Sequence, residues 1–166
     1  REKCLGIMGD QARRMARLVG DVLSLSRIEQ NLHIRPSAAV DLRAIAAQIV
    51  DGLRALARES AVDLRFAPGD PVIVLGDRDE LMRLVENLIE NAIKYGAPSP
   101  VDVTVEARDG QGVITVVDHG PGIAAEHLPR LTERFYRVDT TASRAKGGTG
   151  LGLALVKHIV ARHRGR

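Results

Sequence analysis

Leu5, Met8, Ala12, Met15, Val19 and Val22 recur every three or four positions, with Leu18 and Leu25 on the shoulder. This period predicts one long amphipathic helix over residues 1–31. Its other face carries Arg13, Arg14, Arg17 and Asp21. A single helix of this length cannot bury its own stripe, so the pattern asks for partner helices, and a bundle is preferred to packing on the chain's own domain. The string His33-Ile34-Arg35-Pro36-Ser37 then interrupts the period, as a linker over 32–40 would.

Downstream the pattern alternates between periods. Asp41 sits where an N-cap belongs, ahead of a helix from Leu42 to about Ser60. Val62 to Phe66 alternates like a strand, and Val72 to Leu75 is a short apolar run after Pro71. Gly76-Asp77 opens a helix over 79–95, in which Leu81, Leu84, Val85, Leu88, Ile89 and Ala92 form the apolar arc. Ala97-Pro98-Ser99-Pro100 ends it. Strands over 101–107 and 113–118 follow, joined through Asp109-Gly110. Residues 119–147 are irregular apart from a short helix near 126–134, and a last helix runs from about Gly150 to His163. An irregular stretch of that size inside one domain is usually functional or mobile.

Composition narrows the classes. The 166 residues include 45% hydrophobic and only 2% aromatic side chains, so Ala, Val, Leu and Ile must fill a globular core. The net charge of +3 has no aromatic-basic patch behind it, which argues against a nucleic-acid partner. One cysteine, Cys4, excludes internal disulfides and multi-thiolate zinc, and suits a reducing, cytoplasmic setting. The five histidines show no metal-ligand spacing, and each reads as a solvated or loop histidine. No run approaches the roughly 20 apolar residues of a membrane span.

Candidate chemistry concentrates in four places. Gly147-Gly148-Thr149-Gly150-Leu151-Gly152 precedes the apolar run Leu153 to Val160. Bare N–H groups ahead of a helix favour an anion, which points first to phosphate. The string is neither a Walker A loop nor a dinucleotide fingerprint, because it lacks the Gly-Lys-Ser/Thr ending and the preceding apolar strand. On helix 79–95, Asn87, Asn91, Lys94 and Tyr95 share a face away from the apolar arc, and Glu86 and Glu90 are expected to point off it. Amide oxygens suit Mg²⁺ and a lysine suits phosphate, although a solvated polar face would read the same way. Asp118-His119-Gly120-Pro121-Gly122-Ile123 places a carboxylate at a strand end where it can accept from the amino group of a base; such a string is also an ordinary turn. Arg134-Phe135-Tyr136-Arg137 lies in the irregular stretch.

Together these pieces resemble the sensor histidine kinases of two-component systems. Asn87 to Tyr95 is similar to their N box and Asp118 to Ile123 to the first glycine box. Glu133 to Arg137 is similar to the F box and Gly148 to Leu153 to the second glycine box, in family order and spacing. Met15 to Glu29 resembles the second helix of the dimerisation and phosphotransfer hairpin, and the whole is most like the phosphate-regulon type. The resemblance implies an α+β fold: a two-layer sandwich of the gyrase/Hsp90/histidine-kinase type over 41–166, preceded by the hairpin helix over 1–31. It also implies Mg-ATP as ligand. Asp118 would take the adenine amino group, with Gly120, Gly122 and Ile123 shaping the base pocket and Tyr95 flanking the nucleotide. Asn91, assisted by Asn87, would hold Mg²⁺. Lys94, Arg137 and Lys146 would meet phosphate, with Gly148, Thr149, Gly150, Leu151 and Gly152 wrapping it. Residues 124–147 would be a lid that Phe135 anchors. Asn91, Lys94 and Arg137 would carry catalysis.

The same resemblance sets expectations about the parent protein. It would dimerise through the hairpin, be anchored in the membrane upstream with this part in the cytoplasm, and pass phosphate to a response-regulator aspartate. No histidine here is followed by an acidic residue on a hairpin helix, so the acceptor is expected outside this chain, and the sheet is expected to lack its C-terminal strands. Asn87 stands where related ATPases carry a water-activating Glu, which favours phosphotransfer over hydrolysis. A hydrolytic ATPase of the gyrase or Hsp90 kind, or a nucleotide-binding dimerisation module without activity, are the alternatives.

Overall fold

The computed structural model describes residues 2–138 and 148–166. Helix α1 covers Glu2–Gln30. Then come β1 (Ala39–Asp41), α2 (Leu42–Glu59), β2 (Leu64–Phe66), β3 (Ile73–Leu75) and α3 (Arg78–Gly96). The hairpin β4 (Val101–Arg108) and β5 (Gln111–Asp118), a short 3₁₀ turn (Ala125–Arg130) and α4 (Gly152–Arg162) complete the chain.

Aspartate caps start both central helices. Asp41 Oδ1 accepts from the N–H groups of Arg43 at 2.9 Å and Ala44 at 3.2 Å, and Asp77 Oδ1 accepts from Asp79 at 3.0 Å and Glu80 at 3.1 Å. Each satisfies donors that the first helical turn leaves open. The β4–β5 turn is made by Asp109 and Gly110, with φ of +52° and +74°, the left-handed pair that a two-residue hairpin requires.

The main sheet has three strands in the order β2–β4–β5, the first pair parallel and the second antiparallel. Alternation along β4 turns Val101, Val103 and Val105 onto the covered face, where α2 and α3 pack. Their partners on β5 are Asp118, Val116 and Ile114. Asp118 therefore lies on the helix side of the sheet. Helix α4 packs against α3 through Leu155 and Ile159, both completely buried. The α+β sandwich expected from the sequence is the one observed, and β5 is an edge strand among the described residues.

Three local expectations change and a fourth is refined. Residues 39–41, read partly as linker, form β1 and pair antiparallel with β3 in a separate two-stranded sheet. The helix expected near 126–134 is a 3₁₀ turn ending at Arg130, with Pro129 inside it. His163 is not a solvated histidine: it caps the end of α4 nearly buried, with Nδ1 at 2.8 Å from the Ile159 carbonyl and Nε2 accepting the Asp77 N–H at 3.0 Å. Finally, the apolar stripe of α1 divides along its length, the N-terminal part being left open as the preference for outside partner helices implies. Met8, Met15, Val19 and Val22 are exposed, whereas Leu25 and Ile28, nearer the end of α1, enter the core. Nearer the middle of α1, Ala16, Arg17, Gly20 and Asp21 turn toward the rest of the domain.

Ionic contacts hold α1 there. Glu29 pairs with Arg134, and His158 on α4 lies 3.5 Å from the same carboxylate. Arg162 donates to the carbonyls of Asn31 and Ile34, each at 3.2 Å, and pairs with Glu80.

Candidate nucleotide-binding site

A cavity of about 820 Å³ opens between α1, α3, the turn after β5 and the glycine loop ahead of α4. That volume is in the range of small-molecule sites. Among the described residues its wall on α3 is formed by Arg83, Glu86, Asn87, Glu90, Asn91 and Lys94, with Tyr95 at the helix end. At 3.6 residues per turn these six positions share one sector of the helix. Glu86 and Glu90 therefore do not point off the face of the two asparagines, as sequence spacing suggests; they line the same cavity.

The polar face is organised by local bonds. Lys94 Nζ lies 2.5 Å from Glu90 Oε2 one turn earlier. The Asn87 amide nitrogen donates to the Arg83 carbonyl at 2.8 Å, which leaves its oxygen turned toward the start of α4. Desolvation first, and then the neighbouring Glu90 carboxylate, push the Glu86 carboxyl above the ordinary range.

The end of the cavity where the resemblance expects a base is built by β5. Asp118 lines the cavity, and its Oδ1 accepts the Gly120 N–H at 3.0 Å. The strand end can approach α3 this closely because Gly96 has no side chain: a Cβ there would fall 2.6 Å from that of Asp118. Pro121, Gly122 and Ile123 continue the wall.

The opposite end is where an anion is expected. Gly148, Thr149, Gly150 and Gly152 line the cavity where α4 begins. Gly150 has φ of +73°, and its carbonyl accepts the Phe135 N–H at 2.8 Å, so the F box is tied to the glycine loop through backbone. Arg137 also lines the cavity, and its buried Nε and Nη2 take no hydrogen-bond partner among the described residues. A buried guanidinium left in this state is costly unless an anion meets it.

Three residues expected at the ligand are placed elsewhere. The Phe135 side chain is exposed and off the cavity, Leu151 is a core residue, and Gly120 packs against Gly96 without lining the space. Lys146 lies outside the described residues, as does the stretch 139–147 of the lid expected over 124–147. The sequence reading missed Leu131 and Tyr136, which line the cavity; Tyr136 is held by His127 at 2.7 Å and lies under the Arg130 guanidinium, 4.2 Å from its ring. It also missed Ala16, Arg17, Gly20 and Asp21 of α1. Nothing in the local sequence announces these four, since their role depends on how α1 docks.

Residues 76–166 match the family model of histidine kinase-, DNA gyrase B- and HSP90-like ATPases, and the chain belongs to that family, as an ATP-binding domain of the histidine-kinase kind. The sensor-like histidine kinase SenX3 of Mycolicibacterium smegmatis is 38% identical over 93% of this chain and 41% of its own length. The phosphate regulon sensor protein PhoR of Pseudomonas aeruginosa is 40% identical over 99% of this chain and 37% of its own length. The chain thus spans about two fifths of these relatives. Among solved structures, full-length ShkA in complex with AMPPNP superposes with a TM-score of 0.78 at 29% identity, covering 96% of this chain and 33% of that one.

Proposed function

We propose that this chain binds Mg-ATP in the cavity and presents the γ-phosphoryl for transfer to a histidine on a partner hairpin. The observation that carries the reading is Arg137, whose Nε and Nη2 are buried without a hydrogen-bond partner among the described residues, at the same cavity as Lys94 and the glycine loop. A polyanion is the ligand that such a set accommodates.

Each residue then has a part. Asp118 accepts from the adenine amino group, with Gly122 and Ile123 against the ring. Lys94 and Arg137 hold the phosphates, and the N–H groups of residues 148–152 approach them. The oxygens of Asn87 and Asn91 fit a hard, oxygen-seeking cation, and Asn87 is already oriented by its bond to the Arg83 carbonyl. Bound there, Mg²⁺ would neutralise charge on the phosphates. The acceptor imidazole nitrogen attacks the γ-phosphorus, the bond to the bridging oxygen breaks, and ADP leaves. The parent protein would dimerise through the helical hairpin, stand in the membrane upstream of this part, and relay the phosphoryl group to a response-regulator aspartate in the cytoplasm.

One observation favours a second reading. Glu86 lines the cavity beside Asn87 with its affinity for protons raised, as suits a carboxylate that activates water in a hydrolytic ATPase.

Titration of a non-hydrolysable ATP analogue with Mg²⁺, on the wild type and on Asp118→Asn, tests the site. Saturable binding that the variant loses supports it; a folded wild type that binds nothing sinks it. Labelled ATP supplied with a separate histidine-bearing hairpin then divides the chemistry. Label on the hairpin supports the kinase, phosphate release without acceptor that Glu86→Gln abolishes supports the ATPase, and binding with neither leaves a nucleotide-binding module.

A further inference from the structure

The wall that α1 contributes to the cavity carries a charge of the wrong sign for a triphosphate. Asp21 lines the space beside Arg17 and Gly20. Its Oδ2 accepts the Thr149 hydroxyl at 3.1 Å, and its Oδ1 lies 3.6 Å from Arg83 Nη1. Thr149 belongs to the glycine loop, where its Oγ1 accepts the Leu151 N–H at 3.3 Å as α4 begins. The carboxylate is mostly buried, with 20% of its side chain exposed. An anion from another helix therefore already stands at the rim of the loop whose backbone favours anions.

We propose that Asp21 is an internal competitor of the nucleotide phosphates, which lowers affinity in proportion to the number of phosphates the ligand carries. The inference rests on the nucleotide reading above. A bound phosphate seeks what Asp21 holds, namely the Thr149 hydroxyl and the Arg83 guanidinium. It must also approach a like charge in a partly desolvated space, where screening is weaker than in bulk water. Neutralising Asp21 removes the counter-charge that lies against Arg83 and leaves Arg17 and Arg83 nearer to the ligand than any described carboxylate of α1. By linkage, whatever moves α1 off the loop raises affinity for the triphosphate, and the triphosphate in turn loosens α1.

The test is a ligand series on the 166-residue chain: adenosine, ADP and a non-hydrolysable ATP analogue, with Mg²⁺, against wild type, Asp21→Asn and Asp21→Glu. Asparagine keeps an oxygen for Thr149 and removes only the charge. The expected result for Asp21→Asn is adenosine affinity within about twofold, ADP tighter by about threefold, and the ATP analogue tighter by about five- to tenfold. Asp21→Glu should keep the wild-type order. Should Asp21→Asn fail to fold, Asp21→Ser carries the same expectation. ATP binding unchanged or weaker in a folded neutral variant overturns the proposal. So does an equal gain for all three ligands, which would be packing and not charge. Absence of binding by every protein, wild type included, sinks the nucleotide reading and this inference with it, an outcome distinct from the other two.

Discussion

A β-carbon on Gly152 would fall 2.5 Å from the Asn87 amide oxygen. That amide cannot swing away freely, because its nitrogen is bonded to the Arg83 carbonyl at 2.8 Å. The first residue of α4 and a polar residue of α3 are thus fitted to each other across the cavity.

Gly152→Ala should therefore displace either the asparagine or the helix start. The expected cost is about 1–3 kcal/mol of stability, together with weaker nucleotide binding. Asn87→Ala in the same chain should recover most of the stability and none of the binding. Chemical denaturation of the two single variants and the double variant measures the coupling.

Arg137→Met should separate stability from affinity. Its Nε and Nη2 are buried without partners among the described residues, so removing them should leave melting unchanged or raise it slightly. ATP-analogue affinity should fall by about ten- to a hundredfold, since charge-assisted bonds are lost. Calorimetric melting and titration on one preparation check both halves.

Arg162→Met should loosen the junction between α1 and the domain. This side chain bonds the carbonyls of Asn31 and Ile34 and pairs with Glu80, which would be left buried without its cation. A loss of about 3 kcal/mol is expected, with faster proteolysis within 31–38. Melting curves and timed digestion check it.

Glu80 should give the chain a pH dependence of definite sign. Burial pushes its carboxyl above the ordinary range, outweighing the Arg162 pair that pulls it down. The folded state then holds a proton more tightly than the unfolded chain. Stability is greatest where Glu80 is protonated, and falls as pH rises from the ordinary carboxylate value through the raised one. Glu80→Gln should flatten that slope. Melting at stepped pH through the mildly acidic range measures it.

How much of this was legible before the fold is clear residue by residue. Local chemistry determined the caps at Asp41 and Asp77, the hairpin at Asp109-Gly110 and the apolar arc of α3, because each depends on neighbours within a turn of the chain. Asn87 and Asn91 stood out because asparagine is mildly unfavourable in mid-helix, and Lys94 and Asp118 because their strings resemble the family's boxes; the structure adds that all four line one cavity. Tertiary structure alone decided that Glu86 and Glu90 share their cavity, that Leu151 is core, and that Phe135 meets Gly150 through backbone. It alone brought Asp21 to Thr149, 128 residues away in sequence. Periodicity tells which face of α1 is apolar, but not which face will meet the domain. That choice is made by ion pairs and packing between distant segments, and no local pattern encodes it.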